Sequence, residues 1–383
     1  MSGRDIHEAH RVSTPLELLF DLTFVVAVAA AAAQLHHAVA AHHLGTGLLG
    51  FVGVFFAIWW AWMHFTWFAS AYDTDDATYR LWTMVQMVGV LVLAAGVPPA
   101  AQGDLGTVTA GYVVMRVGLV AMWLRAAREH PERRATALRY AVGIGLVQVL
   151  WLARLALPPA WAVPSWAALA LAELAVPLWA ARTGRTPWHA HHIAERYGLF
   201  TIIVLGECVL GASNAVAGAI DARGWSADVV LVGFGSVSLI LGLWWVYFLL
   251  PNAEALHHHR DRAFTWGYGH VLVFGSLAAL GAFLGVVADQ LKPSTAAEGH
   301  AVAPALAVGL VAAASALYLA SAWWLRVHVT RAPSGHRAAW IGAFVWLGAV
   351  VAATAAGLPL PAALPLLALA PAAVVVATER RRA

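Results

Sequence analysis

The chain has 383 residues, of which 61% are hydrophobic and only 11% are charged, and its formal net charge is +3. A soluble globular domain is nearer half apolar and a quarter charged, so the composition excludes a water-soluble domain and predicts a membrane protein with many spans. The single cysteine, Cys208, excludes an intramolecular disulfide and metal sites made of two or four cysteines.

The apolar runs predict transmembrane helices, since about 20 mostly apolar residues are needed to cross a bilayer. Turn residues such as Pro98-Pro99 and Pro251-Asn252 separate these runs, and prolines interrupt the last one. We therefore expect an all-α, polytopic integral membrane protein with about 12 transmembrane helices. They are predicted at residues 15–37, 47–70, 79–98, 105–125, 135–156, 161–181, 196–219, 227–250, 263–288, 302–326, 337–357 and 360–377.

The basic residues predict the orientation. Most Lys and Arg residues fall in the loops on the side of the N-terminus, whereas only Arg154, Arg223 and Lys292 fall in loops on the opposite side. Under the positive-inside rule this places both termini in the cytoplasm and favours an even number of spans. The basic charge is thus interpreted as a topology signal, and we expect no nucleic-acid partner.

The two halves of the chain align as six-helix repeats. Charged and aromatic residues match in register, among them Glu17 with Glu195, Trp62 with Trp245, and Trp82 with Trp266. Because each repeat has an even number of spans, the repeats are expected to run parallel, as in some transporters. The predicted organisation is a cytoplasmic segment at 1–14, repeats at 15–181 and 196–377, a cytoplasmic linker at 182–195 and a basic cytoplasmic tail at 378–383.

Ionisable residues within the spans are functional candidates, because a charge in the hydrocarbon region costs several kcal/mol unless it is paired or hydrated. Arg116, Glu173 and Glu207 are predicted to lie near the middle of the bilayer. A pair between Arg116 and Glu207, Glu173 or Asp21 would offset the desolvation of the arginine. These charges either carry a transport function or lock helices together.

A second layer, predicted nearer the cytoplasm, contains Asp21, His64, Gln86, Tyr247 and His270. Histidines near a carboxylate in a low dielectric have the composition of a proton relay. The alternative is that each histidine only bonds a neighbouring backbone carbonyl.

The sequence also predicts a cytoplasmic gate. Three carboxylates in the loop before the third span could bind a divalent cation, but they equally suit capping, which we favour, because acids stabilise a helix N-terminus. Paired histidines in interfacial loops give only a weak metal signal. We expect no metal and no cofactor, and assign the gate to Glu17, Glu195, Arg196, His192, Asp73, Asp75, Asp76 and Arg80.

Two stretches resemble signatures of a known family. Residues 17–25, reading ELLFDLTFV, resemble the first-helix signature of the bacterial low-temperature-requirement A (LtrA) membrane proteins, and residues 192–207 resemble their central signature. Residues 73–80 and 244–248 are similar to further family blocks. The family name records a growth phenotype, so the resemblance implies a polytopic membrane protein of the bacterial inner membrane and leaves the substrate open.

The leading functional hypothesis is a proton-coupled secondary transporter of a small solute. Glu207 and Asp21 would titrate, and Arg116 would pair with one of them or with an anionic substrate. The alternatives are a cation or proton channel lined by the first and seventh helices, and an assembly protein whose charges only lock the bundle. No nucleophile–base pair or metalloprotease motif stands out, so an enzyme is not favoured. The expected partners are the lipid bilayer and a small solute or ion, with a homo-oligomer left open.

Overall fold

The computed structural model describes residues 1, 3–5, 8, 12–330 and 337–380. The described residues form α-helices and short 3-10 turns, with no β-strand among them. Parts of the predicted N-terminal segment and residues 381–383 of the predicted basic tail lie outside the described residues. The α-helices are α1 (Pro15–Ala40), α2 (Leu44–Tyr72), α3 (Ala77–Ala101), α4 (Gly106–Glu129), α5 (Arg134–Arg154), α6 (Ala162–Ala180), α7 (Ala190–Arg223), α8 (Ala227–Phe248), α9 (Asn252–His258), α10 (Ala263–Asp289), α11 (Pro293–Ala297), α12 (Pro304–Thr330), α13 (Arg337–Ala355) and α14 (Leu360–Glu379).

Twelve of these helices, all except the short α9 and α11, mark segments long and apolar enough to cross a membrane. The all-helical class and the number of predicted spans are therefore confirmed for the described residues. The protein is a multi-pass membrane protein. The cytoplasmic placement of both termini stays a prediction.

Most helices differ from the predicted bounds by a few residues. α3 continues through Pro98 and Pro99 to Ala101, and α14 is one helix despite its internal prolines. Helices in a membrane tolerate proline because neighbouring helices and local adjustments satisfy the freed carbonyls. α7 begins at Ala190 instead of residue 196. The sequence placed residues 190–195 in the predicted cytoplasmic linker, whereas polar side chains in the first turns of α7, such as His192 and Arg196, are buried within the protein.

The chain forms two compact units. The first comprises Met1–Ala31 and Gly50–Tyr197, and the second comprises Ala32–Leu49 and Gly198–Ala383. Inside the first, α3 packs on α4, α4 on α5, and α5 on α6, while Phe56 and Trp166 join α2 to α6. Inside the second, α10 packs on α12, α12 on α13, α13 on α14, and α8 on α14. The same order of neighbours supports the predicted six-helix repeat, which remains a prediction together with the domain bounds proposed above.

Glycines allow α3 and α4 to pack closely in the first unit. Gly89 and Gly96 of α3, and Gly111 of α4, lie where the two backbones meet. A Cβ atom on Gly111 would collide with the backbone nitrogen of Leu93. Small residues of this kind let membrane helices approach closely and gain van der Waals contact.

Candidate functional site

Two short helical motifs bring four polar side chains together in the first unit. Glu17 and Asp21 are four residues apart on α1, and His192 and Arg196 are four residues apart on α7, so each pair shares one helix face. All four side chains are fully buried, with 0% exposure. We call these four residues the Arg196 cluster.

Arg196 is held by both carboxylates of the cluster. Its Nε donates to Asp21 Oδ2 at 3.0 Å, and its Nη2 donates to Asp21 Oδ1. Nη1 lies 2.8 Å from Glu17 Oε1, although their alignment does not make a hydrogen bond. Trp62 Nε1 of α2 adds a donor to Asp21 Oδ1 at 2.7 Å. The planar guanidinium suits such two-pronged binding, which fixes the orientation of Asp21.

Glu17 also closes the N-terminus of α1. Its Oε2 accepts from the backbone nitrogen of Thr14 at 2.8 Å, and Thr14 Oγ1 accepts from the Glu17 nitrogen at 3.2 Å. This is a capping box, in which the two residues satisfy each other's free donors. His192 Nε2 donates to the same carboxylate at 3.2 Å. The start of α1 is thereby joined to α7 through one side chain.

A second group of buried polar residues, which we call the Glu173 cluster, lies on α2, α4, α5 and α6. The Glu173 carboxylate of α6 accepts hydrogen bonds from four uncharged donors, at 2.8–3.3 Å. They are Trp60 Nε1, the Tyr112 hydroxyl, Gln148 Nε2 and Trp151 Nε1. Glu173 is 0% exposed, so these donors replace the water it would otherwise bind.

Arg116 of α4 completes this cluster without touching the carboxylate. Its Nη2 donates to the Tyr112 hydroxyl at 2.6 Å, and its Nη1 lies 3.2 Å from His64 Nδ1. The tyrosine hydroxyl therefore stands between Arg116 and Glu173. Among the described residues, the hydrogen-bond partners of Arg116 are this hydroxyl and His64, and neither is a carboxylate.

α2 contributes to both clusters from different faces. Trp60 and His64 are four residues apart and contact the Glu173 cluster, while Trp62 between them contacts Asp21. Residues two apart lie on nearly opposite sides of a helix, so α2 passes between the two groups.

The second-layer residues are divided between the two units. In the second unit, His270 Nδ1 bonds the Trp266 carbonyl at 2.8 Å, so its proton lies there, and Nε2 accepts from the Tyr247 hydroxyl at 3.1 Å. In the first unit, Gln86 donates to the Trp82 carbonyl and to Met122 Sδ. Gln86 and His270, which the alignment of the two halves matches with each other, thus both bond the carbonyl four residues earlier.

Glu207 belongs to the second unit. Its side chain is half buried and takes no hydrogen bond or ion pair from the described residues. Its neighbour Cys208 is fully buried and donates to the Leu277 carbonyl at 3.0 Å. The coupling role predicted for Glu207 stays a prediction.

The predicted gate residues fall into separate groups. Glu17, His192 and Arg196 join Asp21 in the Arg196 cluster, while Glu195 is half buried and accepts from the backbone nitrogen of Ser13 at 3.3 Å. The remaining four lie around the loop between α2 and α3.

That loop uses its carboxylates for capping and ion pairs. Asp76 caps α3 by accepting from the Tyr79 nitrogen at 2.9 Å and binds Arg125 through both oxygens at 2.7 and 2.8 Å. Asp75 binds Arg80 in the same manner, and Asp73 Oδ1 accepts from the Asp75 nitrogen. The bonds from Arg80 and Arg125 lower the pKa of Asp75 and Asp76, respectively. No group of three potential metal ligands occurs in the part of the chain that the structure describes.

Sequence reasoning missed the uncharged members of both clusters. Trp62 binds Asp21, and Glu173 is bound by Trp60, Tyr112, Gln148 and Trp151. Two features of the sequence could have indicated some of these residues. Tyr112 precedes Arg116 by one helical turn, and Gln148 is a polar residue in the middle of an apolar span.

Comparison with known proteins shows the family through a family model. The chain is 26% identical over 280 residues to an uncharacterized protein of Rhizobium meliloti (strain 1021), an alignment covering 68% of this chain and 66% of that protein. It thus spans slightly less than two thirds of that relative's length. No solved structure matches the chain. The family model described as bacterial low temperature requirement A protein (LtrA) matches residues 12–378. With nearly its whole length matched and twelve apolar helices in place, the chain belongs to the LtrA family of bacterial membrane proteins.

Proposed function

We propose that this protein is a proton-coupled secondary transporter of a small solute in the bacterial inner membrane, and that the Arg196 cluster holds the exchanged proton. The observation that carries the proposal is the charge count. Two carboxylates, Glu17 and Asp21, share one guanidinium in a fully buried group.

The charge count allows the Arg196 cluster to take up one proton. With both carboxylates ionised and His192 neutral, the cluster carries a net charge of about −1, which is costly in a low dielectric. A proton on His192, whose Nε2 lies 3.1 Å from Glu17 Oε1, or on a carboxylate brings the sum to zero. The cluster therefore has two states that differ by one proton, and that proton belongs to the group as a whole.

Solute-driven proton movement tests this proposal. Protein reconstituted in vesicles with an internal pH dye is given a panel of amino acids, carboxylates and sugars under an imposed pH gradient. We expect at least one solute to move protons with the wild type, and Asp21→Asn and Glu17→Gln to abolish that movement. Glu132→Gln is the matched control, because the side chain of Glu132 is 86% exposed.

Two results would contradict the proposal. One is a wild type that moves no protons with any solute of the panel. The other is an Asp21→Asn variant that moves protons as fast as the wild type, because the cluster would then not hold the coupled proton.

A purely structural role for the Arg196 cluster, in which its charges only hold helices together, is the second candidate. The capping box at Thr14 and Glu17 favours this role, since its two hydrogen bonds stabilise α1 by themselves. The double variant Asp21→Asn with Arg196→Gln separates the two functions. If the cluster is purely structural, the double variant should show full solute-driven proton movement whenever it stays folded. If the cluster holds the coupled proton, the double variant should fold but show no solute-driven proton movement.

A further inference from the structure

The hydrogen-bond pattern around Arg116 fixes the tautomer of His64. An arginine only donates, so His64 Nδ1, 3.2 Å from Arg116 Nη1, must accept. The neutral ring then carries its proton on Nε2. His64 is 5% exposed and its ring packs at a tilt against that of Trp60, with 4.4 Å between the ring centroids.

Two buried donors, one on each of these two contacting residues, lack acceptors. His64 Nε2 and Arg116 Nε are both buried, and neither has a hydrogen-bond partner among the described residues. Arg116 is 1% exposed, so bulk water does not replace the missing acceptors. A buried donor that has lost its water without gaining an acceptor is destabilising, and native proteins rarely leave one without a reason.

The positive charge of Arg116 is also incompletely matched. No described carboxylate lies within ion-pair distance of it, because the Tyr112 hydroxyl stands between Arg116 and Glu173. Glu173 in turn is satisfied by its four uncharged donors. A water molecule would satisfy the free donors of His64 and Arg116, but it would leave the charge of Arg116 without a counter-ion in contact.

We propose that His64 and Arg116 bind an anionic oxygen group of the transported solute, a carboxylate or a related small oxyanion. The guanidinium supplies the charge, and the two free N–H groups supply donors for the anion's oxygens. The inference rests on the proposed function for the solute being transported, whereas binding itself is measured without a gradient.

Anion binding to the purified full-length protein in nanodiscs tests the site. The unfolding temperature, followed by the fluorescence of the 19 tryptophans, is measured against acetate concentration at constant ionic strength held with sodium chloride. Acetamide serves as the uncharged probe of similar size. We expect a saturable rise of the unfolding temperature with acetate and none with acetamide.

Two arginine variants form the matched pair. Arg116→Gln should weaken the acetate effect by about tenfold or more in concentration, because it removes a charged donor. Arg154→Gln should keep it. Arg154 lies in the same unit, is half buried and bonds Ser165 and the Ala162 carbonyl instead.

A measurement on the wild type covers the case in which Arg116→Gln does not fold. Saturation transfer from the protein to the acetate methyl signal should be seen by NMR and should fall when inorganic phosphate competes. Absence of saturable acetate binding in the wild type, or an unchanged effect in Arg116→Gln, would overturn the inference. Acetate binding without proton coupling would overturn the proposed function alone, and coupling without acetate binding would overturn the inference alone.

Discussion

Replacing Arg196 with Gln is expected to be the most damaging single change in the first unit's buried clusters. The variant leaves Glu17 and Asp21 fully buried without their guanidinium. Removing one partner of a buried ion pair typically costs about 3–5 kcal/mol of unfolding free energy, because the remaining charge is uncompensated. Asp21→Asn keeps Arg196 paired with Glu17 and loses mainly charged hydrogen bonds, which are worth about 1.5–3 kcal/mol. We therefore expect Arg196→Gln to be less stable than Asp21→Asn by about 1–2 kcal/mol.

Titration of SDS into mixed micelles, followed by tryptophan fluorescence, measures this order of stabilities. Arg154→Gln is again the control, because its arginine is half buried and bonds no carboxylate among the described residues. The double variant Asp21→Asn with Arg196→Gln should recover part of the loss. For residues in direct contact, such a double-mutant cycle typically gives a coupling energy of about 0.5–3 kcal/mol.

The order of the two single variants is the decisive result. Suppose that Asp21→Asn lowers the free energy of unfolding as much as Arg196→Gln does. One carboxylate would then contribute as much to stability as the arginine that both carboxylates share. The cluster would then hold its charges in balance, and the argument that it needs an additional proton would fail.

Three further predictions concern packing, pH and reactivity. Gly111→Ala should destabilise the protein by about 1–3 kcal/mol in the same SDS titration, because its methyl group meets the α3 backbone, whereas Gly145→Ala, with open space around it, should be tolerated. Arg125 holds the pKa of Asp76 below its usual value of 3.8, so the stabilisation from Asp76 is present above that value and is lost as the pH falls through the lowered pKa. The unfolding temperature should therefore drop in acid, and less so in Arg125→Gln; equal drops would contradict this account. Cys208 should react with a maleimide once per chain in SDS and hardly at all in the folded protein, since it is fully buried; rapid labelling of the folded protein would contradict that burial.

Composition and spacing predicted much of the architecture. Runs of about 20 apolar residues located the twelve spans, because the bilayer core fixes the length of a crossing helix. The spacing of Glu17 and Asp21 also indicated that both carboxylates lie on one face of α1. These features depend only on local sequence.

Pairing between helices could not be predicted in the same way. The sequence offered Arg116 as a partner for Asp21, whereas Arg196 takes that place. Helices that are apolar on every side do not encode their rotation about the axis, so the sequence does not indicate which faces meet. The predicted start of α7 at residue 196 also placed Arg196 at a helix end, while the helix from Ala190 carries it inward.

The Arg196 cluster lacks one positive charge, whereas Arg116 in the Glu173 cluster lacks an anion in contact among the described residues. Together the two clusters predict electroneutral transport. The Arg196 cluster has one carboxylate too many and accommodates a proton, while Arg116 and His64 have free donors that accommodate an anion. One anion entering with one proton leaves the total charge of the first unit unchanged. The accumulation ratio of the solute should therefore rise about tenfold per unit of pH gradient, because one pH unit and a tenfold concentration ratio have the same free energy. It should not respond to a membrane potential set with potassium and valinomycin. Accumulation driven by that potential at equal pH would show that the two clusters do not load together.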